Sequence, residues 1–101
     1  MIIAELSVVP LGTKTPSVSK YVAGAVKELE AMGLKPRLTA MGTEFEAENI
    51  EKVLKAAGRA HESVFKAGGE RVVTVLKIDE RRDKEGSMGQ KVSSVKEKVE
   101  E

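Results

Sequence analysis

The sequence predicts an α+β protein of the ferredoxin-like kind: a βαββαβ antiparallel sheet with both helices on one face, plus an added C-terminal helix. Three observations predict it. β-branched, apolar segments alternate with segments of helical period; each long helical segment stops at a glycine, Gly33 or Gly68-Gly69; and the two middle strands are separated by a tight turn alone. Two right-handed β-α-β halves joined by a hairpin give that split topology. At 101 residues the chain is expected to be one domain throughout, since two cores would leave each half too small to stay folded.

Ile2 to Pro10 reads as a central strand, apolar on both faces except at Glu5 and Ser7. After the loop Leu11-Gly12-Thr13-Lys14-Thr15, the pair Thr15-Pro16 suits a helix start, because Thr accepts from free amides and Pro fits the first turn. Val18, Val22, Ala25, Val26, Leu29 and Met32 then hold helical spacing, so the helix is expected over Pro16–Met32. Pro36 opens a second strand running through Met41, and Gly42-Thr43 supplies the turn into a third, Glu44 to Ala47. Asn49 to Ala67 is a long amphipathic helix with Ile50, Val53, Leu54, Ala57, His61, Val64 and Phe65 on one stripe. Arg71 to Asp79 is the fourth strand, ended by the charged run Glu80 to Glu85. Ser87-Met88-Gly89-Gln90 has capping-box spacing, and Met88, Val92, Val95 and Val99 form one narrow stripe on a last short helix.

Alternation sorts the strands into two layers. Ala4, Leu6, Val8, Leu38, Ala40, Phe45, Val72, Thr74, Leu76 and Ile78 are expected to face the helices. Ile3, Val9, Met41, Val73 and Val75 then form an apolar patch on the other side, among Glu5, Ser7, Arg37, Thr39, Glu44, Glu46, Lys77 and Asp79. Soluble monomers seldom leave such a patch in water, so a homo-oligomer closed sheet to sheet is expected, with the last helix able to extend a dimer to a tetramer.

Composition excludes more than it identifies. There is no cysteine and one histidine, which removes disulfides and thiolate chemistry and leaves a histidine-rich metal site or a conventional triad without its parts. Seventeen basic and sixteen acidic residues are interspersed, so no field gathers nucleic acid or an anionic membrane. An RNA-recognition sheet would display aromatics, and the strands offer Val, Glu, Ser and Lys instead. No run of apolar residues is long enough for a membrane helix, and no basic segment precedes the first apolar one, so a cytoplasmic protein is expected. With 33% charged residues and one Asn, the composition also leans toward heat adaptation.

Polar groups beside the apolar patch need partners. One reading pairs Glu5 or Glu46 with Lys77 across strands or across the subunit boundary; the other makes a ligand pocket, where carboxylates hold a cationic or amine-bearing molecule, Ser7, Thr39 and Thr43 orient its hydrogen bonds, and Met41 or Phe45 packs on its rings. His61 is expected as a buried neutral imidazole with one hydrogen bond, Tyr21 as packing, Leu11-Gly12-Thr13 as a plain turn, and Arg81-Arg82 as part of a solvated charged loop. No nucleophile stands beside a base at a recognisable spacing, so an enzyme is not expected.

Three motifs occur in order: Ile3-Ala4-Glu5-Leu6-Ser7-Val8-Val9-Pro10-Leu11-Gly12-Thr13; Met41-Gly42-Thr43 followed by Glu46-Ala47-Glu48; and Leu76-Lys77-Ile78-Asp79 with Arg81-Arg82-Asp83. Together, over nearly the whole chain, they resemble the small thiamine-binding protein family. The resemblance implies a ferredoxin-like protomer assembled through its sheets into dimers or tetramers. It implies binding of thiamine or its hydroxymethylpyrimidine part, without catalysis and without a cofactor. Glu5, Ser7, Thr43 and Glu46 sit inside the matching motifs and are the first candidates for the ligand site, with Lys77 and Asp79 second. The competing class is a structural or regulatory homo-oligomer whose polar sheet residues only set subunit register.

Overall fold

A computed structural model describes residues 1–100. Its element order is β1 (Ile2–Pro10), α1 (Ser19–Ala31), β2 (Arg37–Leu38), β3 (Thr43–Ala47), α2 (Ile50–Lys66), β4 (Val72–Asp79) and α3 (Met88–Glu100). The sheet order is β2-β3-β1-β4, every pair antiparallel, so the expected ferredoxin-like arrangement with β1 between β3 and β4 is what the chain adopts.

Alternation along β1 puts Ile2, Ala4, Leu6 and Val8 under the helices, and Thr43, Phe45 and Ala47 of β3 join them. Phe45 and Leu29 are wholly enclosed. α2 turns Val53, Ala56, Ala57, Ala60 and Val64 inward, and the small alanines let the helix lie close on the sheet. Leu54 and Phe65, expected on that stripe, lie beyond it and remain exposed. The helices are also tied side by side by Arg59 Nη2, 2.7 Å from Glu28 Oε2.

Both long helices end as expected. Gly33, at φ +79°, lets Leu34 N–H donate to Leu29 C=O while its own N–H donates to Glu30 C=O, and buried Leu34 packs into the core. Gly68, at φ +102°, repeats this with Gly69 N–H reaching Val64 C=O at 2.9 Å. Asn49 Oδ1 accepts from Lys52 N–H and fixes the start of α2. The start of α1 differs from expectation. Thr15 and its neighbours spend their hydrogen bonds locally, Ser17 N–H on Thr15 Oγ1 and Thr13 Oγ1 on Thr15 C=O, so the helix begins only at Ser19.

The second departure is the hairpin. β2 is two residues long, because Thr39 starts a turn: its N–H and Oγ1 both donate to Gly42 C=O, and Oγ1 accepts from Met41 and Gly42 N–H. Thr39, Ala40 and Met41 therefore leave the sheet, and Thr43 belongs to β3 rather than to the turn.

Gly69 should tolerate no side chain, since a Cβ there would lie 2.8 Å from Val64 Cγ1 and 2.9 Å from Val64 O. Gly69→Ala is expected to destabilise the protein by about 1–3 kcal/mol, read by denaturant unfolding, whereas Gly58→Ala, with open space around its Cβ, should not.

Candidate functional site

The face of the sheet away from the helices is ordered in rows set by strand register. Ile3 stands between Glu46 and Asp79; Glu5 between Glu44 and Lys77, with Arg37 beyond Glu44; Ser7 beside Val75; Val9 beside Val73. The second row runs Arg37, Glu44, Glu5, Lys77, a base at each end flanking the two carboxylates paired at its centre. Lys77 Nζ lies 3.9 Å from Glu5 Oε1, an exposed pairing worth little by itself. Val9, Val73 and Val75 are exposed beyond it.

The first row holds α3. Glu46 Oε1 accepts from Met88 N–H at 2.7 Å, Asp79 binds the Lys91 ammonium, and Ser87 Oγ accepts from Gln90 N–H as a cap. Carboxylates at the first turn also suit the helix dipole. Beyond that turn α3 buries nothing, and Val92, Val95 and Val99 stand open at 44%, 61% and 78% exposure, an apolar stripe with no cover among the described residues.

Of the six candidate ligand residues, then, Glu5, Ser7, Glu46, Lys77 and Asp79 share the open face, in three successive rows. Thr43 does not converge with them. The turn at Thr39–Gly42 makes it the partner of Leu6, so its side chain points under the helices, and the residue is only 5% exposed.

Thr43 instead lines a cavity of 720 Å³ at the edge of β1. β3 covers β1 only as far as Leu6, while β4 follows it to Pro10. The last four residues of β1 thus have a neighbour on one side alone, and the space on the other side is walled by Val22 and Val26 of α1 with Val18 just before it, and closed by the Thr39–Gly42 turn. Val8 and Thr43 meet it from the helix face, Ser7 and Val9 from the opposite face. Gly42 lets the turn close in: a Cβ there would sit 3.1 Å from Leu6 O and 3.3 Å from Glu5 Cγ. Sequence reasoning missed this cavity because a shortened β2 cannot be seen in the apolar pattern; the signal available was Val22 and Val26, which widen the α1 stripe beyond what the core fills.

The remaining singled-out residues have quieter places. His61 is half-buried, its Nδ1 2.7 Å from Thr74 Oγ1 and its ring edge-on to Phe65. Tyr21 packs on the core beneath the Lys20 ammonium. Leu11-Gly12-Thr13 is a turn with Gly12 at φ +76°. In the charged loop Arg81 grips Asp83 through two nitrogens, holding that carboxyl below its usual range, and Arg82 pairs with Glu80. No helix among the described residues is long and apolar enough to cross a membrane.

A family model described as thiamine-binding protein matches residues 4–96. A UPF0045 protein of Methanothermobacter thermautotrophicus is 48% identical over 99 residues, covering 98% of this chain and all of its own length. A UPF0045 protein of Bacillus subtilis is 42% identical over 99 residues, covering 94% of each chain. The solved structure of a hypothetical protein from Methanocaldococcus jannaschii, 43% identical, superposes with a TM-score of 0.86 over 95% of this chain and 96% of that one. At 19% identity, a Thermotoga maritima protein named as a candidate for thiamine biosynthesis or salvage shares the fold, with a TM-score of 0.78 over 93% and 97% of the chains.

Glu46→Ala removes the acceptor for Met88 N–H and the charge at the start of α3. Hydrogen exchange should quicken in the first turn of α3, by a factor matching about 1 kcal/mol, and stay unchanged in α1 and α2.

Proposed function

This chain belongs to the thiamine-binding protein family, and on that premise we propose that it binds thiamine or its hydroxymethylpyrimidine part without altering it, as a homo-oligomer closed over the open face of its sheet. The observation that carries the ligand reading is the apolar cavity at the β1 edge. Its 720 Å³ lies in the range of small-molecule sites, and its walls are aliphatic with few polar groups, as such sites require. A pyrimidine ring sandwiched between Val22 or Val26 and the strand edge would bury both faces. The Thr43 hydroxyl supplies a hydrogen bond inside, Ser7 lies at the strand edge, and the Glu5 carboxylate beside Gly42 favours the thiazolium cation nearer the mouth.

Within this reading the six candidates divide by task. Ser7, Thr43 and Glu5 serve the ligand; Glu46 and Asp79 hold α3; and Lys77 balances Glu5. What surrounds the cavity supports binding over catalysis. The single histidine is tied to Thr74 between α2 and β4, whereas the cavity is walled by α1, so no imidazole stands ready to move a proton there. Oligomerisation rests on the exposed Val9, Val73 and Val75, an apolar patch that a second copy can cover about a two-fold axis.

Calorimetry tests the ligand reading. Thiamine or hydroxymethylpyrimidine should release heat on titration. Thr43→Val should weaken binding about three- to ten-fold through one lost hydrogen bond, and Glu46→Ala should leave it intact. Loss with Glu46→Ala but not Thr43→Val would move the ligand to the open face; silence from both compounds at millimolar concentration would leave the structural oligomer. Light scattering at micromolar concentration should return a dimer or larger, and a monomeric mass would contradict the closed face.

A further inference from the structure

Deepening the ligand reading above, and resting on it, we propose that the main chain of β1 at Val8 recognises a flat nitrogen heterocycle whose acceptor ring nitrogen adjoins a donor amine, held where the next strand would lie.

In an antiparallel sheet each residue points its N–H and C=O to one side and its neighbours point theirs to the other. Three observations fix that alternation in β1. Leu11 N–H donates to Arg71 C=O at 2.8 Å, so the odd-numbered residues face β4. Thr39 N–H donates to Gly42 C=O, which turns Glu44 toward β2 and Thr43 toward β1, opposite Leu6. Pro10, which has no N–H, falls in the even set, and proline enters a strand only where no ladder bond is needed. Val8 therefore directs both groups to the side that β3 has already left. The chain there is engaged elsewhere, since Met41 and Gly42 N–H go to Thr39 Oγ1, and no backbone group among the described residues bonds Val8 from that side.

Val8 is 4% exposed, so an acceptor for its N–H and a donor for its C=O carry unusual weight. The pairing surface is also very short. Up to Leu6 the edge is taken by β3, and at Pro10 only a carbonyl remains, so one donor and two acceptors are free. A peptide strand needs a longer run, and α1 with the Thr39–Gly42 turn encloses the space. A single ring fits this enclosure. An aminopyrimidine presents the matching edge: its ring nitrogen takes the Val8 N–H and its amine gives to the Val8 C=O, while Thr43 approaches from the β3 side. The thiazolium of thiamine has no such edge, so the pyrimidine half carries the recognition.

The test is amide NMR on the 15N-labelled protein, titrated with hydroxymethylpyrimidine and with the same pyrimidine lacking its amine. The Val8 amide proton should move downfield and exchange more slowly with the first compound, and the second should bind about ten-fold more weakly or worse, because it leaves the Val8 carbonyl unpaired. Hydroxymethylpyrimidine that binds, by shifts elsewhere and by calorimetric heat, while the Val8 amide stays still and the amine proves dispensable, would overturn this inference and leave the binding function standing. No binding of hydroxymethylpyrimidine or thiamine would overturn both.

Discussion

β1 is longer than the strand beside it, and much of what is distinctive in the molecule follows from that mismatch. A nine-residue central strand needs neighbours on both sides along its whole length, yet β3 matches only Ile2 to Leu6. The remainder is covered by α1 from above and by β4 from one flank, leaving an edge inside the protein rather than at the end of the sheet. A buried edge is costly when its peptide groups go unpaired, which makes it a natural place for a ligand able to pair with them. The shortness of β3 and β2 traces to one side chain: the Thr39 hydroxyl captures the turn and takes the chain out of the sheet before it can run alongside Val8.

The open face answers a different constraint. Two helices cover one side of four strands, so the other side is left to α3 and to whatever closes it. α3 is fastened there by its first turn alone, through Glu46 and Asp79, and then carries its valines away from the core. The carboxylates that look most like ligand groups in the sequence are, at this end of the sheet, helix anchors. Arg37, Glu44, Glu5 and Lys77 cross all four strands as one row, with a base on each edge strand and the two carboxylates between them.

Much of this was legible in the sequence, and the reasons differ by element. The layer assignment of β1, β3 and β4 was readable because alternation is a property of the strand itself and does not depend on distant contacts. The stops at Gly33 and Gly68 were readable because positive φ is a local demand with a residue-type signature. What escaped were competitions between local hydrogen bonds and regular structure. Thr15 and Thr39 both offered hydroxyls to nearby peptide groups, and in both places the local bond won, shortening α1 at its start and β2 at its end. The error at Thr43 followed directly, since placing the turn at Gly42-Thr43 hid which layer that residue joins. The α2 stripe was rotated for another reason: alanines at 56, 57 and 60 pack closest, and the larger Leu54 and Phe65 were displaced to the flank. The site was thus half visible, its residue types on the page and its grouping dependent on one turn.

A crystal structure of the protein grown with hydroxymethylpyrimidine would test the central claim most directly. The account predicts the ring beside Val8, between α1 and the Thr39–Gly42 turn, with Thr43 at its edge and Glu46 still bound to the start of α3. A ring seated among Glu5, Glu46 and Lys77 on the open face, with the β1 edge untouched, would contradict it.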